Sequence, residues 1–291
     1  MLQPNRHWAV IVHGGARAIP PEDREQFAEG CRRAAEVAAA ILSQDGSALD
    51  AAEMAIRFLE DLPHYNAGRG SVKNAAGEVE MDAAIMDGET LAIGGIGALR
   101  DVRHPIQVAR ALLFEPPILL VGSGAREFAS KIEAEQALPV VPAHEAAAGC
   151  DTVGCVAVDI RGHLAAAGST GGIEGKMVGR VGDTPLPGCG LYADDEKGAV
   201  ACSGDGESIG RVMVAAEAIF ALQTGSPLFA AQRAVDRLAR VGGEAGAILI
   251  DPAGRMGIAH NSAQFSLGIA ASWIAAPLGA TNAAEVKEWL E

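Results

Sequence analysis

The chain has 291 residues, 49% of them hydrophobic but only 4% aromatic, and 36 glycines. That is enough apolar material for one large domain, with a core of Ala, Val, Ile and Leu and many tight turns. With 23 Lys and Arg against 37 Asp and Glu, the net charge of −14 argues against nucleic acid and anionic membrane as partners, since both demand a cationic footprint.

No apolar run reaches the length of a membrane span, and Met1–His7 lacks the apolar stretch of a secretory leader. The cysteines (Cys31, Cys150, Cys155, Cys189, Cys202) form no C-x-x-C. Free thiols and a cytoplasmic setting are expected.

In chain order, residues 8–12 read as a strand that ends in His13-Gly14-Gly15. Residues 21–43 read as a helix, because Phe27, Cys31, Ala34, Ala38 and Ile41 recur at three- and four-residue spacing. Asp45-Gly46 stops it, and Ser47 caps a second helix with Asp50 at its third position. Residues 66–71 form a glycine-rich loop. Strands are predicted at 80–86, 91–99 and 118–121, and helices at 105–114 and 126–136.

Residues 138–149 hold Pro139, Pro142 and an alanine run without a period, which marks a linker. Strand signals return at 153–158, 164–167 and 199–202. Helices are predicted at 208–223 and 227–241, and strands at 247–250, 256–260 and 265–271. No short-period repeat appears.

Several chemical readings can be discounted. Gly122-Ser123-Gly124 follows a strand, but position 127 is Glu, so the third glycine of a dinucleotide loop is missing. Ser203-Gly204-Asp205-Gly206-Glu207 precedes a helix; its acidic residues disfavour phosphate but tolerate a carboxylate. The seven histidines lack metal-ligand spacing. His13 reads as a buried polar residue rather than a base. Cys155, like Cys150, reads as a small packed hydrophobe.

Thr152, between Asp151 and the β-prone run from Val153, is by itself an ordinary strand residue. A threonine hydroxyl needs a base to act as a nucleophile. If the Asp151–Thr152 bond were cut, the new α-amine of Thr152, with a reference pKa of about 7.7–8.0, would stand beside its own hydroxyl.

His13-Gly14-Gly15-Ala16, Asn66-Ala67-Gly68-Arg69-Gly70-Ser71 with Met81-Asp82-Ala83-Ala84-Ile85-Met86-Asp87-Gly88, and Gly179-Arg180-Val181-Gly182-Asp183-Thr184-Pro185 carry a resemblance over nearly the whole chain. It resembles the plant-type L-asparaginases, or isoaspartyl peptidases, within the aspartylglucosaminidase-like N-terminal-nucleophile hydrolases.

The resemblance implies a four-layer αββα sandwich over residues 1–291, cut into an α-chain 1–151 and a β-chain 152–291 after a linker at about 138–151. It implies Thr152 as nucleophile, Thr170 as the hydroxyl that orients it, and Ser203 with the Gly204 amide as oxyanion hole. Arg180 would grip the substrate α-carboxylate and Asp183 its α-ammonium. Gly206 would line the pocket, with Asn66 near the nucleophile. Small-molecule substrates (L-asparagine and β-aspartyl dipeptides), no organic cofactor, a structural sodium in the loop before Asn66 and a dimer of αβ units complete the expectation.

The sequence departs from the family pattern at four points. Ser203 replaces Thr, Cys150 stands where Gly or His is familiar, Gly168 stands where Thr is common, and the linker is short. Two other readings stay open: a hydrolase of glycosylated asparagine, and an uncleaved protein that binds aspartate-like ligands through Arg180 and Asp183.

Overall fold

The computed structural model describes residues 7–136 and 152–290. The expected linker, with Cys150 and Asp151, lies outside the described residues.

Strand β1 (Ala9–Arg17) runs through the His13-Gly14-Gly15 turn rather than ending before it, with a register shift between His13 and Ala16. Helix α1 (Arg24–Leu42) starts after a short 3-10 turn at Pro21–Asp23 and buries Leu42 rather than Ile41. Helix α2 (Ala48–Glu60) is capped as expected: the Asp50 N–H donates to Ser47 Oγ (3.0 Å).

Strands β2 (Met81–Asp87) and β3 (Ile93–Leu99) form an antiparallel pair. Helix α3 (Pro105–Leu112), strand β4 (Leu119–Val121) and helix α4 (Gly122–Lys131) follow, α4 starting four residues earlier than its apolar period suggests.

After the undescribed segment come β5 (Val153–Val158) and β6 (Leu164–Thr170), then β7 (Leu191–Asp194), which sequence patterning missed, and β8 (Gly198–Gly204). The helix expected over 208–223 is two helices, α5 (Gly206–Val212) and α6 (Val214–Leu222). They are separated by Met213, which adopts a left-handed conformation with φ 52°. Apolar period alone does not reveal such a break. Helix α7 (Pro227–Asp236) and strands β9 (Ala245–Ile250), β10 (Met256–His260), β11 (Gln264–Ala271) and β12 (Leu278–Ala280) complete the fold.

Two sheets result, ordered β12-β11-β1-β5-β6-β2-β3-β4 and β10-β9-β8-β7. They face each other through β1, β2, β5 and β6 on one side and β7, β8 and β9 on the other. Helices α1 to α4 cover the outer face of the larger sheet, and α6 and α7 that of the smaller. This is the expected αββα sandwich.

Alternation along each strand divides the core. Val10, Val12, Val153, Cys155, Ala165 and Ala167 face the first helix layer. Ile11, Val156, Val158, Ala166, Ala201 and Ile248 meet between the sheets. Val200, Cys202, Leu249 and Ala247 face the second helix layer. The abundant alanines and glycines let these layers approach closely; a Cβ at Gly268, for instance, would fall on the Cys31 backbone in α1.

Candidate active site

The same alternation that builds the core sets the polar residues. Thr152 shares the parity of Val156 and Val158, Thr170 that of Ala166, and Ser203 that of Ala201. All three therefore point between the sheets, at one end of the sandwich where the apolar filling stops. Thr152, Thr170 and Ser203 are buried.

Thr152, Thr170, Arg180, Asp183, Gly204 and Gly206, together with Gly172, Ile173, Gly182 and Thr184, line one narrow pocket. Six of the residues singled out from the sequence are thus brought together from four segments of the chain. Asp151 lies outside the described residues.

Ser203 stands beneath Thr152. Its Oγ accepts from the Thr152 N–H (3.2 Å) and from the Ala16 N–H (3.1 Å). Both acceptor sites of the hydroxyl are taken, so its own hydrogen is left to donate elsewhere. The bulge of β1 at His13/Ala16 supplies that second N–H, which links the opening Gly-Gly turn to the site. Gly204, next to Ser203, adopts φ +144°, and a Cβ there would collide with the Glu244 carbonyl; only glycine fits.

Thr152 Oγ1 lies 3.4 Å from Thr184 Oγ1. Thr184 is buried and was not singled out in the sequence, although it stands inside the Gly179–Pro185 motif. Nothing in spacing separates it from an ordinary loop threonine. Gly168 leaves the room that Thr184 uses: a Cβ there would sit 3.3 Å from Thr184 Cγ2. Thr170 Oγ1 accepts from the Gly172 N–H (3.0 Å) and so shapes the turn that walls the pocket.

Asn66 does not line the pocket. Its Nδ2 donates to the Gly172 carbonyl (2.6 Å), and its Oδ1 accepts from the Val72 N–H (3.1 Å). It ties the glycine-rich loop to the pocket wall.

The charged end is built on the segment after β6. Asp82 Oδ1 accepts from the Ala98 N–H (2.8 Å) and Oδ2 from the Gly182 N–H (3.2 Å), anchoring the loop that carries Arg180 and Asp183 to β2 and β3. Asp183 is buried, and its Oδ2 has no hydrogen-bond partner among the described residues. Burial pushes its pKa up to about 7, against the pull of its own backbone N–H and of the Arg180 charge.

Burial also works against the Arg180 charge. An ion pair with Glu207 and the nearby Asp82 and Asp183 outweigh it and hold the guanidinium pKa above its usual value. Arg180 Nε donates to Glu207 Oε1 (2.8 Å) and Nη2 to Oε2 (2.6 Å).

His13 is fully buried, with its ring stacked against Phe265 (centroids 5.2 Å apart) and facing Gly154, where any Cβ would fall on the imidazole. Burial drives its pKa down to about 3, so it is a neutral packing element at physiological pH. Cys155 is buried in the first helix layer, and burial raises its thiol pKa, as suits a packed hydrophobe.

The pocket therefore joins a hydroxyl at a strand start, a partnered second hydroxyl, one half-buried cation and one buried carboxylate whose Oδ2 has no partner among the described residues. Such an arrangement offers opposite charges to a small zwitterion and a hydroxyl beside them.

Comparison with known proteins agrees. The asparaginase family model matches residues 6–145 and 136–274. A zebrafish (Danio rerio) isoaspartyl peptidase/L-asparaginase is 40% identical over 93% of this chain and 92% of its own length. Its human (Homo sapiens) counterpart is 43% identical over 74% of this chain and 77% of its own. An isoaspartyl peptidase from Salmonella typhimurium is 36% identical over 87% and 92%. With a matching family model over most of its length and relatives of this identity, the chain belongs to the asparaginase family of isoaspartyl peptidases and L-asparaginases.

Proposed function

We propose that the protein is an N-terminal-threonine amidohydrolase that cleaves the side-chain amide of L-asparagine and the isopeptide bond of β-aspartyl dipeptides. The observation that carries this reading is the orphaned Asp183 Oδ2 beside Arg180, in the pocket that also holds Thr152. A buried carboxylate oxygen without a partner is costly unless a ligand supplies one. An α-ammonium does so, and the Arg180 fork takes the α-carboxylate. The aspartyl side-chain carbonyl is then left to face Thr152.

Activation begins with attack of Thr152 Oγ on the Asp151 carbonyl, an N-to-O acyl shift, and hydrolysis of the ester by water. This frees the fragments 1–151 and 152–291. In the mature enzyme the Thr152 α-amine takes the hydroxyl proton as Oγ attacks the substrate carbonyl. The tetrahedral oxyanion is met by the Ser203 hydroxyl and the Gly204 N–H. The amine returns the proton to the leaving ammonia or amino acid. Water, deprotonated by the same amine, then hydrolyses the β-aspartyl ester. Thr170, by shaping the Gly172 turn, and Thr184, at 3.4 Å from the nucleophile, orient the Thr152 side chain.

No step requires an organic cofactor. A structural sodium in the loop before Asn66 belongs to this reading; a hard cation there would be held by oxygen ligands, and Asn66 joins that loop to the pocket wall. A dimer of two-fragment units is supported by the edge position of β4, unpaired on its outer side among the described residues, and by Phe114, Ile118 and Val121 beside it, which those residues leave exposed.

The test is ammonia release from L-asparagine and amino-acid release from β-aspartyl dipeptides by the self-cleaved protein, with N-acetyl-L-asparagine and a glycosylated asparagine as comparisons. Hydrolysis of the first two and not of N-acetyl-L-asparagine is expected. Equal rates on asparagine and its N-acetyl form would remove the role given to Asp183.

A further inference from the structure

The guanidinium of Arg180 offers five N–H donors, and the structure shows which are spent. Glu207 takes the Nε–H and one Nη2–H, at 2.8 and 2.6 Å. Both Nη1 hydrogens and one on Nη2 remain, a single further fork on the end of the group.

That end is held in a slot of three pocket-lining glycines. Nη1 lies 3.4 Å from a Cβ position on Gly172 and 2.9 Å from one on Gly182; Nη2 lies 3.0 Å from one on Gly206, where Asp183 Oδ1 is also 2.7 Å away. Glu207 grips the opposite edge from the rim. Its side chain is 58% exposed, while that of Arg180 is 15% exposed. The sequence suggested that Glu207 would merely tolerate a bound carboxylate; the structure commits it to Arg180.

We propose that Glu207 is a positioning residue for substrate recognition. By occupying the outer edge of the guanidinium it fixes the Arg180 rotamer and delivers the remaining fork to the α-carboxylate of the substrate. Glu207 itself does not touch the substrate. A long arginine with its outer edge free would swing toward solvent, since the glycine slot gives it only van der Waals contact and the charges of Asp82 and Asp183 attract it without fixing its rotamer. The resident carboxylate also directs selectivity. With one edge permanently filled, the pocket accepts one carboxylate in one orientation, rather than two anions or a single anion at either edge. The inference rests on the amidohydrolase reading for its kinetic test and on the structure alone for its second test.

The kinetic test compares the self-cleaved wild type with Glu207→Ala and Glu207→Gln on L-asparagine. For Glu207→Ala, KM is expected to rise on the order of 10- to 100-fold, the worth of a charge-assisted pair, while kcat stays within about threefold because the substrate, once seated, meets the same nucleophile and oxyanion donors. Glu207→Gln keeps one acceptor and should fall between the two. Sodium formate should lower the KM of Glu207→Ala by filling the vacated edge, and should only inhibit the wild type. An unchanged or lowered KM in Glu207→Ala, or no rescue by formate, would overturn the proposal.

The second test is a crystal structure of Glu207→Ala, with Glu207→Gln beside it, read at Arg180. Departure of the guanidinium from the glycine slot in Glu207→Ala, and its retention or partial departure in Glu207→Gln, is the expected outcome. An Arg180 that keeps its place in Glu207→Ala refutes the proposal. A wild type inactive on every β-aspartyl substrate would sink the amidohydrolase reading instead, and leave the crystallographic test of Glu207 in force.

Discussion

At the scale of single residues, the site turns on hydrogen-bond arithmetic. Ser203 Oγ already accepts twice, from the Ala16 and Thr152 N–H groups, so its hydrogen is left to donate to a further partner. If that hydrogen meets the oxyanion, Ser203→Ala in pre-cleaved enzyme should lower kcat by roughly 10²–10³, as loss of one oxyanion donor does elsewhere, with little change in KM. Ser203→Thr should keep most activity. A kcat within twofold of wild type for the alanine variant would leave the hole to other donors.

Asp183 sets a pH dependence of opposite character. Burial raises its pKa to about 7, so below that pH the free enzyme holds it protonated, and a substrate ammonium must displace the proton. KM for L-asparagine should therefore fall as pH rises from 5 to 7 and level off above, in a titration of initial rates against substrate at each pH. A KM flat across that range would mean that Asp183 is already ionised or does not meet the ammonium.

At the scale of elements, the pocket depends on how α2 is fastened to the sheet. Glu60, in the last turn of α2, is fully buried. Its Oε1 accepts from Ser169 Oγ on β6 (2.6 Å) and from the Ile106 N–H at the start of α3 (3.1 Å), while Oε2 has no partner among the described residues. Burial raises its pKa to about 8, against those two bonds. The folded protein thus keeps a proton that the unfolded chain, with its carboxyl near its ordinary value, releases. The contribution of this group to stability is complete below about pH 4.5 and is lost progressively as pH climbs to 8, at up to about 1.4 kcal/mol per pH unit. Glu60→Gln removes the titration. Its melting temperature relative to wild type should rise steadily between pH 5 and pH 8; parallel curves would show that Glu60 is ionised in the fold.

At the scale of the whole molecule, the sheet order constrains what cleavage after residue 151 can do. Strand β1, from the first part of the chain, lies between β11 and β5 of the second, and β2 pairs with β6 across the same division. Pulling the parts apart would break three strand ladders and open both faces of the larger sheet to water. The cleaved protein should therefore show two bands on denaturing electrophoresis, yet elute as one species on gel filtration without denaturant. The smaller fragment should begin at Thr152. Thr152→Ala should stay a single band. Spontaneous separation of the fragments in native buffer would contradict this interleaving.

Local patterning in the chain carried most of the strands and helices, while the layered sandwich and the residues proposed for the site came from the family resemblance. Alternating runs such as Val153–Val158, the capped period of α2, and the motifs around Arg180 and Asp183 are local signals, because strand parity, helix capping and turn chemistry are set by neighbours in the chain. It did not reveal the break at Met213, strands β7 and β12, the contact of Thr184 with Thr152, or the grip of Glu207 on Arg180. Each of these is decided by residues remote in sequence: a short strand exists only because β8 pairs with it, and a loop threonine becomes a neighbour of Thr152 only when β5 and the 179–185 loop converge. Burial, and with it the pKa values of His13, Glu60 and Asp183, likewise belongs to the packed sandwich. Desolvation depends on what surrounds a group in space, and only the tertiary structure supplies that.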